Sequence, residues 1–299
     1  MLKNKNKLGL YKKIVSLKLR LTQNEVLTMF KKDIFGNIIF IKKIVMFIFG
    51  MISNRRYKGF NELQIEGMEI LRYLPDNQVL FVSNHQTYFA DAAAMYHVFF
   101  AALNGQNDIK GFKYLFHPKT NIYYVAAKET MTSGILPRIF MYVGAIPIMR
   151  TWRSKGKDVK RPVNFNDITN ISKAIQDGWV ITFPQGTTTP FKPIRRGTGH
   201  IIKTNKPIVI PIVIDGFRRS FDKKGLQIKK RGINQRLTIK PPLSIDYEND
   251  TVDEIVEKIA FAIEQHQDLS KVVSVDEFKK DMNQSKTDDK KHFWSGNDY

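Results

Sequence analysis

The chain has no cysteine, which excludes disulfides, a thiolate nucleophile and cysteine-ligated metals, and fits work on the cytosolic side of a membrane. It also lacks a long hydrophobic run. The unbroken stretch Ile44–Ile52 is far short of the roughly 20 apolar residues that a membrane span requires. Extending it back to Ile34 places Lys42 and Lys43 in the middle of the span, where each charge is costly. No small-residue cleavage site follows, so the segment is a poor match to a signal peptide. Acidic residues are scarce: 28 Asp and Glu face 48 Lys and Arg, for a net charge of +20. His97, His117, His200, His266 and His292 show no metal-ligand spacing and read as structural or surface residues.

What is present is enough to build a core. A hydrophobic share of 42% with 12% aromatics argues against general disorder. The length of 299 residues suits one large α/β domain with decorations, or two small domains.

The charge is concentrated. Residues 1–58 hold fourteen Lys and Arg against only Glu25 and Asp33, a surplus of twelve. A segment this basic seeks a polyanion, either nucleic acid or an anionic lipid surface. The apolar stretches Ile34–Ile41 and Ile44–Ile52 favour lipid. They predict a pair of helices lying in the interface, with Lys at the head groups and Phe, Ile and Met in the acyl region. The plainer alternative is a solvated basic arm followed by a core helix. Residues 1–28 read as a basic extension without chemistry of their own.

From residue 60 onwards short apolar runs bounded by turn formers alternate with helical patterns, the signature of an α/β fold. Gln78–Ser83, Asn121–Ala127, Ala145–Met149, Trp179–Phe183 and Pro207–Ile214 read as strands, the last too apolar for anything but a buried one. Leu237–Pro241 reads as a further, edge strand. Asp91–Ala102 and Asp167–Asp177 have helical spacing, and Thr251 with Glu254 opens a third helix, to His266, through a capping box. Residues 280–299 are polar and charged and read as a disordered tail.

Three constellations carry chemistry. Ser83 to Asp91 (SNHQTYFAD) sets His85 just after a buried strand, with Asp91 at a helix start. These are the parts of a general base and the carboxylate that orients it, although a satisfied loop histidine looks the same. Phe183 to Pro190 (FPQGTTTP) ends another strand in a loop whose glycine and free N–H groups suit an oxyanion or phosphate. A tight turn before a helix cap fits that loop equally well. Gly144 to Arg150 (GAIPIMR) delivers Arg150 at the C-terminal edge of a strand, where open α/β sheets bind ligands and where Arg can clamp a phosphate. A surface arginine is the alternative. In 151–160, Arg153, Lys155, Lys157 and Lys160 read as a basic loop, touching head groups or an acidic carrier, or simply solvated.

His-x5-Asp, Gly-x-Ile-x-Ile-x-Arg, Phe-Pro-x-Gly-Thr and Val-Ile-Pro-Ile-Val-Ile occur in that order, each in or at the end of a predicted strand. The ordered set resembles the glycerolipid acyltransferase family that includes the lysophosphatidic acid (1-acyl-sn-glycerol-3-phosphate) acyltransferases, over roughly residues 55–245. The resemblance implies a single catalytic α/β domain at 58–270 with a central mixed, largely parallel sheet flanked by helices. A basic, apolar, membrane-anchoring segment at 1–57 and a polar tail at 271–299 would flank it. It implies His85 as general base with Asp91 as partner, Lys128 and Arg150 as phosphate-binding groups, and Gln185, Gly186, Thr187 and Thr188 at the acceptor site. Pro211 would help form the acyl-chain site.

The implied reaction moves a fatty acyl group from acyl-CoA or acyl carrier protein to a lysophospholipid hydroxyl, with no metal, no cofactor and no covalent acyl-enzyme. The implied setting is an anionic membrane surface on the cytoplasmic face, without nucleic acid. A catalytically silent lipid-binding or membrane-remodelling protein on the same scaffold is the alternative. Three positions depart from the family pattern. Five residues rather than four separate His85 from Asp91, which turns the Asp by about 100° if helix has already begun unless a loop bulge absorbs it. Gln185 stands for the usual Glu and Thr188 for the usual Arg. Lys192, Arg195 and Arg196 are candidates to replace the lost cation.

Overall fold

The computed structural model describes residues 30–132, 134–149 and 164–270, and a pair of two-residue strands between the last two ranges. In chain order the elements are helix α1 (Ile39–Tyr57), β1 (Glu62–Glu66), β2 (Val79–Ser83), α2 (Ala90–Leu103), β3 (Ile122–Ala127), α3 (Lys128–Met131), α4 (Ile135–Tyr142) and β4 (Ala145–Ile148). The two short strands are β5 (Arg153–Ser154) and β6 (Lys157–Asp158). There follow α5 (Phe165–Asp177), β7 (Trp179–Thr182), α6 (Arg196–Asn205), β8 (Ile208–Asp215), α7 (Phe217–Ser220), β9 (Asn234–Ile239) and α8 (Val252–Ala262).

Seven strands form one sheet in the order β1-β9-β8-β2-β7-β3-β4. Every pairing is parallel except β8 with β9. This is the expected mixed, largely parallel sheet, and both of its faces are covered. Val79 and Phe81 of β2 join one core cluster, with Met46 of α1 and Phe99 of α2. Leu80 and Val82 join the other, with Ile171 of α5 and Ile255 of α8. Alternation across two buried faces explains why β2 is apolar at every position but its last. The capping box at the head of α8 is present: Thr251 Oγ1 accepts from Glu254 N at 3.2 Å, and Glu254 Oε2 accepts from Thr251 N at 2.6 Å.

Two expectations need correction. The strand expected at Leu237–Pro241 is β9, and it lies between β1 and β8 rather than at the edge. The edge belongs to β1, whose sequence ELQIE is too charged and too short to announce itself. The expected pair of interfacial helices is one helix. Residues 31–38 instead close a turn around Asp33, whose Oδ1 accepts from the backbone N–H groups of Phe35 (3.0 Å) and Asn37 (2.9 Å). Only then does α1 begin. Lys42 does not reach for head groups. It is fully buried, 3.1 Å from Asp33 Oδ2 and 4.7 Å above the Tyr123 ring. Burial acts to raise the Asp33 carboxyl, but Lys42 and Asn37 prevail and hold it below the ordinary carboxylate range.

Removing one partner of a buried ion pair leaves a charge uncompensated, at a cost of about 3–5 kcal/mol. Asp33→Ala should therefore lower stability by that amount in urea unfolding, and adding Lys42→Met should restore most of it. A double variant no more stable than Asp33→Ala would show that the pair is not what couples the two residues.

The inner face of α1 packs through Met46, Gly50 and Tyr57. A polar network fixes the end nearest α2: Ser53 Oγ lies 2.8 Å from His97 Nε2, and His97 Nδ1 lies 2.8 Å from Tyr114 Oη. Burial pushes the His97 imidazole down to about 3, so the ring is neutral and structural. The outer face carries Phe40, Ile41, Ile44, Ile48, Met51 and Ile52, all exposed. At helical spacing these six form a stripe on the side opposite Lys42, Met46 and Gly50. The helix is apolar on both sides, and among the described residues only one side is packed. Among the described residues no helix is long and apolar enough to cross a membrane.

Candidate functional site

Strands β7, β2 and β8 are adjacent and parallel, so the loops that follow them meet along one edge of the sheet. That edge lies outside the carboxyl ends of the strands, where open α/β sheets assemble ligand sites. The loop after β2 begins at Asn84, which is buried and carries the sheet pairing on by its side chain. Its Nδ2 donates to Ile214 O and its Oδ1 accepts from Ile214 N, both at 2.8 Å. Gln86 Nε2 also donates to Ile214 O, at 3.1 Å. His85 is thus held between two side chains pinned to the end of β8.

The five-residue spacing does not break the pair. His85 Nδ1 is 2.9 Å from Asp91 Oδ2. Helix α2 starts only at Ala90, so residues 85–89 are loop, and the added residue is absorbed before helical geometry takes hold. Asp91 shapes that loop. It is fully buried and accepts from Gln86 N (2.6 Å), Thr87 N (3.0 Å to Oδ2) and Thr87 Oγ1 (2.7 Å) in addition to the imidazole. Its place in the first turn of α2 puts the carboxylate at the positive end of the helix. An acceptor at Nδ1 requires that nitrogen to carry the hydrogen, which leaves Nε2 as the basic nitrogen. Phe183, at the end of β7, stacks on the His85 ring with centroids 3.9 Å apart and planes at 21°. The other side of the loop is strapped by residues 223–225: Tyr88 N and Phe89 N donate to the carbonyls of Lys223 and Lys224. A Cβ on Gly225 would come within 2.6 Å of Ala90 N, so only glycine permits this approach.

The loop after β7 turns at Gly186, which has a φ of 66° and so adopts a conformation that glycine accepts without strain. Gln185 is buried, and its Nε2 donates to Lys192 O (2.9 Å) and Gln265 Oε1 (3.2 Å). That amide nitrogen therefore ties the loop to residues 192 and 265. Thr187 Oγ1 accepts from Thr189 N at 3.2 Å, a local turn bond. Thr188 is buried, and its carbonyl accepts from Arg218 Nη2 at 2.6 Å. Lys128 is exposed at the start of α3, on the same edge but two strands from β2. Arg150, Lys155 and Lys160 lie outside the described residues. Pro211 is buried in mid-strand, in register with Val82.

Of the candidate replacement cations, Arg196 pairs with Asp253 on α8 (3.0 Å). Lys192 is exposed, and Arg195 caps α6 with its backbone N–H on Pro184 O. Sequence reasoning missed Phe183, Gln86 and Arg218 as members of the site. Each sat inside a motif or just past one, but their convergence depends on β7 and β8 flanking β2.

Residues 62–215, just over half of the chain, match the family model described as Acyltransferase. No curated protein matches the chain. Among solved structures, the chain is similar to the 1-acyl-sn-glycerophosphate (LPA) acyltransferase PlsC from Thermotoga maritima. The two share 16% identity with a TM-score of 0.47, over 74% of this chain and 77% of that one.

Proposed function

The chain belongs to the acyltransferase family, and from that premise we propose that it acylates the free hydroxyl of lysophosphatidic acid or a related lysolipid, with His85 as general base. The observation that carries the reading is the His85–Asp91 pair, closed at 2.9 Å at the end of the central strand and inside the matched region. In the proposed step Nε2 of His85 takes the proton of the acceptor hydroxyl as its oxygen attacks the thioester carbonyl of acyl-CoA or acyl carrier protein. The tetrahedral intermediate collapses with cleavage of the C–S bond, and the departing thiolate takes the proton back from the imidazolium. Asp91 fixes the ring and stabilises its charged form while the proton is held. The acyl carrier is the co-substrate, and the proposed reaction uses no further cofactor. The closed dyad favours this over a silent lipid-binding role.

The setting we propose is the cytoplasmic face of an anionic membrane. The exposed apolar stripe of α1, with exposed Lys43 beside it, supports an interfacial docking in which the stripe enters the acyl boundary and the cations stay at the head groups. Exposed apolar area of this kind marks an interaction surface.

A matrix of acceptors against donors tests the reading. Purified full chain would be given lysophosphatidic acid, lysophosphatidylglycerol or lysophosphatidylcholine with acyl-CoA or acyl carrier protein, and the lipids would be analysed by mass. At least one lyso-acceptor should gain a single acyl chain. Transfer to none of them with either donor would sink the proposal.

A further inference from the structure

The geometry points to Arg218 as the cation that holds the acceptor's phosphate, a role that rests on the phosphate-bearing acceptor proposed above. In a 1-acylglycerol 3-phosphate, the reacting hydroxyl and the phosphate are on neighbouring carbons. A group that grips the phosphate must therefore border the His85 loop. Arg218 does so from the opposite side of the sheet edge to the loop after β7. It lies in α7, directly after β8. Its backbone N–H donates to Gln86 Oε1 at 3.1 Å, which sets the residue against the neighbour of His85. Its Nη2 donates to the Thr188 carbonyl at 2.6 Å, so the side chain spans from the end of β8 to the loop after β7.

Thr188 has only an uncharged side chain to offer at this point of the loop, and Arg218 brings a permanent positive charge to the same place. A guanidinium presents five N–H donors in a fixed fork that matches phosphate oxygens two at a time. The bond to Thr188 O fixes that fork. Arg219 pairs with Asp215 (3.2 Å) and Arg196 with Asp253 (3.0 Å). Lys128 stands two strands from β2.

The test compares 1-acylglycerol 3-phosphate with 1-acylglycerol, which has the same hydroxyl and no phosphate. Both are presented to the full chain in detergent micelles, with acyl-CoA or acyl carrier protein as donor. Wild type should prefer the phosphate-bearing acceptor. Arg218→Gln should cut that preference in kcat/KM by about 100-fold, the loss of a charge-assisted, two-pronged contact. Arg218→Lys should recover part of it, and Arg195→Gln should keep the preference of wild type.

Equal losses on both acceptors would reduce Arg218 to a clamp on the Thr188 loop and overturn the assignment. So would a preference lost in Arg195→Gln instead, or an effect of Arg218→Gln confined to the KM of the acyl donor. The two levels separate cleanly. A wild type that acylates neither acceptor refutes the underlying reading. A wild type that prefers the phosphate, with Arg218→Gln keeping that preference, refutes Arg218 alone.

Discussion

Replacing His85 by Ala is expected to lower acyl transfer by about 10³–10⁴-fold, the upper part of the range for loss of a general base, while shifting stability little. The activity loss follows from the chemistry. A neutral alcohol is a poor nucleophile toward a thioester, and in this site Nε2 of His85 is the proposed acceptor for its proton. The small stability change follows from the packing. The His85 side chain is 13% exposed, and its ring bonds Asp91 through Nδ1. After its removal Asp91 still accepts from Gln86 N, Thr87 N and Thr87 Oγ1, so no buried carboxylate is stranded. What is lost is the stacking on Phe183, worth about 0.5–1.5 kcal/mol. Initial rates with the acceptor found most active, together with urea midpoints, measure both parts. Activity within tenfold of wild type would remove His85 from the reaction. A collapse of the urea midpoint would mean that the ring supports the fold instead.

The sheet was legible because its strands are buried on both faces. Continuous apolar runs such as those in β2, β7 and β8 have few alternatives in an α/β chain, and the polar residues that end them fall at the carboxyl edge. The ordered motifs were legible for the same reason, since each begins where such a run stops. Less legible was anything that depends on one side chain meeting a distant one. Lys42 in an apolar stretch looked like a head-group contact, because its partner Asp33 is organised by a turn that the apolar pattern of 34–41 conceals. Strand β9 looked like an edge because nothing in ELQIE announces β1 as the strand beyond it. The spacing of His85 and Asp91 looked like a defect because the rotation argument needs helix from the first residue, and α2 starts late. Gln185 was placed on the substrate, yet its amide nitrogen ties the loop to residues 192 and 265. No local pattern could supply those partners.

Asp91→Asn should be damaging in two ways that His85→Ala is not. The carboxylate is surrounded by donors alone: an imidazole N–H, two backbone N–H groups and a hydroxyl. An amide in its place has one acceptor oxygen and brings two donors of its own, so its NH₂ must face groups that also donate. At least one buried N–H then loses its acceptor, at about 1–3 kcal/mol for each group left unsatisfied. The loop at 85–89 loses the bonds that accommodate its added residue, and the imidazole loses the group that fixes its tautomer. Activity should therefore fall about 10²–10⁴-fold, and stability by about 1–6 kcal/mol if one or two such groups are orphaned. The double variant with His85→Ala tells the two effects apart. Residues that act as one catalytic unit are strongly non-additive in rate, so the double variant should be scarcely slower than His85→Ala alone. Its stability should instead follow that of Asp91→Asn, because the orphaned N–H groups belong to Gln86 and Thr87 and remain whether or not the ring is there. Rates that multiplied across the two substitutions would mean that Asp91 serves the reaction by a route that does not pass through His85, and the dyad would have to be given up as the catalytic unit.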